Sequence, residues 1–124
     1  MEVTVLRHEA REQALMDGDM VRVLRRTIGT VESSELVEDA AFQLCERLSR
    51  LEALIARGDL EGVHRLAHSM VGVSGQVGLM RLASVARDLM LCAMRGDRVA
   101  VRAVGARLTR LGEESLFALA RFVD

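Results

Sequence analysis

Three times the chain sets glycine directly before aspartate and then resumes an apolar spacing: Gly18-Asp19 before MVRV, Gly58-Asp59 before LEGV, and Gly96-Asp97 before RVAV. Glycine tolerates the left-handed backbone just past a helix, and aspartate caps the first turn of the next one. Arg57 and Arg95 precede the last two pairs, where a cation suits the end of the preceding helix. No proline occurs anywhere, so the commonest punctuation of strands and long loops is missing. The pattern reads as helices joined by tight connections, not as a structural repeat.

Amphipathic segments fill the intervals. Residues 20–28 read as a short helix ending near Gly29. Residues 34–57 read as a long one, with Val37, Ala41, Leu44, Leu48, Leu51 and Ile55 down one side. Residues 60–77 form the next, and 79–95 another, carrying Leu82, Val85, Leu89 and Cys92. The last, 98–122, spaces Val101, Val104, Leu108, Leu111 and Leu119 for a core, and Gly105 and Gly112 are expected to weaken it locally. Four long helices with short connections predict an all-α, antiparallel four-helix bundle, with the short N-terminal helix capping one end. Residues 16–124 make up the bundle domain. Residues 1–15 are an extension to which the pattern assigns no firm element, although VTVL suits an extended strand.

Composition narrows the function. A chain of 124 residues is about one domain, and half of it is apolar, which argues against disorder. Phe42, Phe117 and Phe122 are the only aromatic rings, which leaves a core of leucine, valine, alanine and methionine. Met80, Met90 and Met94 fit packing better than a cofactor box. The net charge of −1 argues against general nucleic-acid binding. Every basic side chain is arginine, a bias we read as genomic base composition. No run approaches the roughly 18 uninterrupted apolar residues of a membrane span, and MEVTVLRHEAREQ lacks the layout of a signal peptide. A cytoplasmic setting is expected. Cys45 and Cys92 are then expected to be small buried hydrophobes, not a disulfide or a metal pair. The two RGD triplets serve as turns and not as adhesion motifs.

The stretch AHSMVGVSGQVG, residues 67–78, poses the chemical question. Glycine costs a helix about 1 kcal/mol relative to alanine, and here three of them follow one histidine. At about 100° per residue, Val63, Leu66, Ala67, Met70, Val73, Ser74 and Val77 gather on one side. His68 falls opposite, beside Glu61, His64, Arg65, Val71, Gly72, Gly75 and Gln76, so it is expected in solvent. Gly72 and Gly75 then clear a floor beside the imidazole for an approaching partner. Gly78 belongs to the turn into residue 79. An exposed imidazole can ligate a metal, act as acid or base, or act as a nucleophile. Acid–base work calls for a concave site with a second catalytic group, which a bundle surface does not offer. Attack on phosphorus needs only an accessible ring nitrogen, provided a partner brings the electrophile and its stabilising cation.

At AHSMVGVSGQVGLMRL the chain resembles the signature of histidine phosphotransfer (HPt) domains, roughly His, any residue, Leu, Lys, Gly, any, Ser, then Gly and Leu. His68 stands at the phosphoacceptor position and Met70 replaces the leucine. Gly72, Ser74, Gly78 and Leu82 match in turn. ARGDLEGVHRLAHS and MVRVLRRTIGTVESSELVEDAAFQL are also similar to that family, and the likeness covers about residues 20–122. It implies a bundle that relays phosphoryl groups between His68 and the aspartate of a receiver domain, on a response regulator or a hybrid histidine kinase. It further implies no intrinsic cofactor, Mg2+ being supplied by the receiver. The family's lysine is Val71 here, which removes a positive charge and enlarges the apolar part of the docking surface. Arg65, one turn before His68, is a candidate to supply a guanidinium instead.

His64 and His68 are four positions apart, a chelating spacing aligned with Glu61, yet no second helix offers a Glu-x-x-His. No metal site is assigned, and His64 is expected to flank the docking surface. Ser69 neighbours His68 in sequence but not on the helix face. Ser74 is expected to pack as a small residue with its hydroxyl bonded back to the helix, and Gln76 is placed to touch a partner or its phosphate. His8 has no assigned chemistry. Two further hypotheses stand beside the relay: an HPt-like adaptor that binds a receiver without transferring phosphate, and a metal-binding bundle.

Overall fold

In the computed structural model, residues 30–123 are described at the level of backbone and 34–121 at the level of side-chain burial. Four helices occupy nearly all of this span: α1 (Thr30–Ala56), α2 (Leu60–Gln76), α3 (Met80–Met94) and α4 (Arg98–Val123). Each packs against two others, α1 on α2, α2 on α3, α3 on α4 and α4 back on α1, which closes an antiparallel square. The short helix expected over 20–28, the Gly18-Asp19 pair and the extension 1–15 lie outside the described residues.

The connections follow the glycine–aspartate rule. Gly58 and Gly96 both adopt a φ of 70°, the left-handed conformation that a side chain resists. The next residue then caps the following helix: Asp59 accepts from the Gly62 amide at 2.9 Å, and Asp97 from the Ala100 amide at 3.0 Å. The connection between α2 and α3 uses Gly78, at φ 75°, but follows it with Leu79, which makes no side-chain cap. Leu79 is buried instead. Here the joint is fastened by apolar burial.

The core is aliphatic. Val37, Leu44, Leu51, Leu82, Val85, Leu89, Val101, Leu108 and Leu119 are buried at the spacings read from the sequence, with Ala41, Leu48, Ile55 and Val104 half-buried around them. Phe42 and Phe117 both stand exposed. Two expectations change. α1 begins at Thr30, not residue 34, because the apolar stripe that marked its start begins only at Val37. Cys45 is exposed and Cys92 half-buried: Cys45 follows Leu44 by one position, and about 100° of helical turn carries it away from the core.

Gly105 and Gly112 also prove to have a different role. Both are buried in α4, and each faces a side chain of α1. A Cβ on Gly112 would lie 2.5 Å and 2.8 Å from the two methyls of Leu48, and one on Gly105 would overlap the Ile55 terminal methyl. The glycines cost α4 helix propensity, but they form sockets that let α1 and α4 close together.

Candidate functional site

α2 presents the site. Its inward stripe is as the wheel requires, with Val63, Leu66, Ala67, Met70, Val73, Ser74 and Val77 all buried. The opposite face carries His68 in the open, with Glu61, Arg65, Gly72 and Gln76 exposed and His64 and Gly75 half-exposed. His68 sits near the middle of a 17-residue helix, so a rigid element and not a loop aims its ring. Asp59 anchors the start of that helix and Gly78 releases the chain at its end.

The ground beside the imidazole is open. Among the described residues, a Cβ built on Gly72 or on Gly75 meets nothing within 4 Å beyond its own stretch of helix. These two glycines therefore differ in kind from Gly105 and Gly112: none of the described neighbours requires their smallness. Removing side chains here leaves the backbone approachable from outside.

On the other side His64 runs parallel to His68, with ring centroids 6.4 Å apart and planes 18° from coplanar. Among the described residues no third histidine, cysteine or carboxylate joins them in a metal-holding group. Arg65 puts Nη1 3.4 Å from Glu61 Oε1 in an exposed pair one turn apart. Such surface pairs are worth about 0–1 kcal/mol, so the guanidinium is restrained only weakly. Val71 departs from the expected outward position. It is half-buried and packs against the core cluster, because its place on the wheel tilts toward the stripe that the bundle covers. Only part of its surface faces the His68 side.

Sequence reasoning missed Arg47. This α1 residue reaches across the helix–helix groove and donates from Nε to Ser69 Oγ, next in sequence to His68, while Nη1 donates to the Gln43 carbonyl at 3.1 Å. Nothing in a single helix marks it. Only the antiparallel register of α1 on α2 sets residue 47 level with residue 69. Ser74 corrects another expectation: it is fully buried, as anticipated, but its hydroxyl does not bond back to the helix and has no hydrogen-bond partner among the described residues.

A helical bundle of this size and connectivity invites comparison with known proteins. The family model for the Hpt domain matches residues 35–114, more than half of the chain's 124 residues. The chain belongs to the Hpt domain family. The Hpt match spans the greater part of α1, all of α2 and α3, and most of α4. The fold is similar to the crystal structure of histidine-containing phosphotransfer protein B (HptB) from Pseudomonas aeruginosa PAO1, with a TM-score of 0.80 and 24% identity. That likeness covers 86% of this chain and 91% of the other. The comparison with curated proteins gave no match. No helix among the described residues is long and apolar enough to cross a membrane.

Proposed function

We propose that this Hpt domain exchanges a phosphoryl group between His68 and the aspartate of a receiver domain, carried by a response regulator or a hybrid histidine kinase of a cytoplasmic phosphorelay. The observation that supports this most directly is the exposed imidazole at mid-helix with open space over Gly72 and Gly75. In the step toward histidine, a ring-nitrogen lone pair of His68 attacks the phosphorus of the aspartyl phosphate. The phosphorus–oxygen bond to the carboxyl breaks, and aspartate leaves as carboxylate with the electron pair. The proton on the other ring nitrogen of His68 is open to solvent. Transfer back reverses the same bonds.

The division of labour follows from what each surface offers. Phosphoryl transfer needs positioning and stabilisation of charge on the equatorial oxygens. An exposed helix face supplies a nucleophile and a docking surface, and the receiver is expected to bring Mg2+ with its acidic pocket. His64, Arg65, Gly72, Gly75 and Gln76 surround His68 as the contact zone, with the exposed part of Val71 at its edge.

The test is to charge a receiver with acetyl phosphate, mix it with this protein, and follow acid-labile label. Label on the wild type that disappears in His68→Gln supports the relay. Label that persists in His68→Gln refutes the assignment. Val71, which brings no cation to this face, favours one second reading, that of an adaptor. An adaptor binds the receiver and acquires no label.

A further inference from the structure

Beside the His68 face, on the α1 side of α2, the surface is hollow. Arg47, Arg50, Arg65 and Ser69 are among the residues that line a concavity of about 350 Å³. Two of these cations face carboxylates: Arg50 stands 3.9 Å from Glu46, and Arg65 3.4 Å from Glu61. Arg47 is different. It is half-buried and, among the described residues, bonds only the neutral oxygens of Ser69 and of the Gln43 carbonyl. A guanidinium so held keeps its charge uncompensated, and neutral acceptors use only part of its five-donor fork.

Among the described residues nothing offsets this charge, which rests on Ser69, the residue after His68 and about 100° around α2 from it; Gly72 falls between the two on the helix wheel and leaves room there. A phosphoryl group on the His68 ring would add charge of about −1.5 to −2 and three strong acceptor oxygens. Charge-assisted bonds from a guanidinium are roughly twice as strong as neutral ones and are commonly bidentate. Turning from Ser69 to the phosphoryl oxygens therefore exchanges a weak bond for stronger ones, and the Arg47 stem already spans the groove.

We propose that Arg47 is the cation that meets the phosphoryl group on His68: the guanidinium rests on Ser69 in the free protein and closes onto the phosphoryl oxygens when the ring is loaded. It makes and breaks no covalent bond. The proposal rests on the reading of His68 as phosphoacceptor, and it assigns to α1 a charge that position 71 of α2 does not provide.

Phosphoramidate, a small donor that requires no receiver, loads exposed histidines and allows a test by phosphorus NMR. The resonance to follow is the one absent from His68→Gln. A guanidinium on the oxygens favours the dianion, so in Arg47→Gln the phosphoryl group should titrate at a higher pH, its acidity constant reduced at least threefold. Transfer from a charged receiver should slow about tenfold, while Arg47→Lys should restore part of both. Arg110→Gln, far from this groove on the α1–α4 side, should change neither. Ser69→Ala removes the resting bond alone and should leave the titration where it is or move it lower. A titration unmoved in Arg47→Gln, or raised in Ser69→Ala, overturns the role of Arg47. If phosphoramidate and receiver both fail to label His68, the phosphoacceptor reading falls instead.

Discussion

Alanine at Gly72 should make the protein more stable, although the position lies in its candidate functional face. Gly72 sits inside α2, four residues before the helix ends at Gln76, so its backbone is fully helical. Glycine in such a place is worth about 0.8–1 kcal/mol less than alanine. No packing clash offsets that gain, because among the described residues an added Cβ meets no atom within 4 Å beyond its own stretch of helix. The whole propensity term should therefore appear in the unfolding free energy. For a chain of 124 residues this corresponds to a rise in Tm of about 3–5 °C. Urea unfolding followed by circular dichroism measures the first quantity, and a thermal scan the second. Glutamine at the same position has a propensity close to that of alanine, so Gly72→Gln should also remain folded and at least as stable as wild type. Its longer side chain, however, would occupy the floor beside His68, and exchange with a receiver should fall tenfold or more. A Gly72→Ala protein less stable than wild type would show that the space is not open. Wild-type transfer in Gly72→Gln would show that the open space is not what the partner uses.

The same substitution in a filled socket of α4 should have the opposite sign. Gly112→Ala gains the same propensity but drives a Cβ into the Leu48 methyls at 2.5 Å and 2.8 Å; overpacking costs about 1–3 kcal/mol, so chemical denaturation should show a net loss. Ser74→Ala removes a buried hydroxyl without a partner, whose burial costs roughly 1–3 kcal/mol; its Tm should rise, and a fall would mean that the hydroxyl is bonded in solution. Val71→Lys places a cation on the His68 face at the expense of part of a core contact. It should lower stability by about 1 kcal/mol or less, since lysine can lay its stem along apolar surface, and should speed receiver-to-histidine transfer in a stopped time course.

The sequence disclosed those parts of the structure that depend on one helix at a time. Val37, Leu44 and Leu51 recur on a helical period and are all buried, and the wheel through His68 separates its two faces correctly except at Val71, which lies at their border. Gly58-Asp59 and Gly96-Asp97 encode their own turns, because backbone conformation and side-chain capping are local matters. What escaped depends on two helices at once. Propensity alone treats Gly105 and Gly112 as weak points in α4, since it does not register the Ile55 and Leu48 side chains that fill them. Arg47 looks like an ordinary surface arginine until α1 is laid against α2. Cys45 is the exception, legible from one helix: its residue type suggests burial, but Leu44 beside it already holds the inward stripe and turns it out.

Leu48 and Ile55 enter their notches on α4 seven residues apart, and a rod keyed at two points along its length cannot roll about its axis. Arg47 immediately precedes the first key. The angle at which this arginine faces α2 is thus set from behind, by two missing side chains on a helix that never touches the histidine. A substitution at the back of the molecule would retune the front without altering a single atom there.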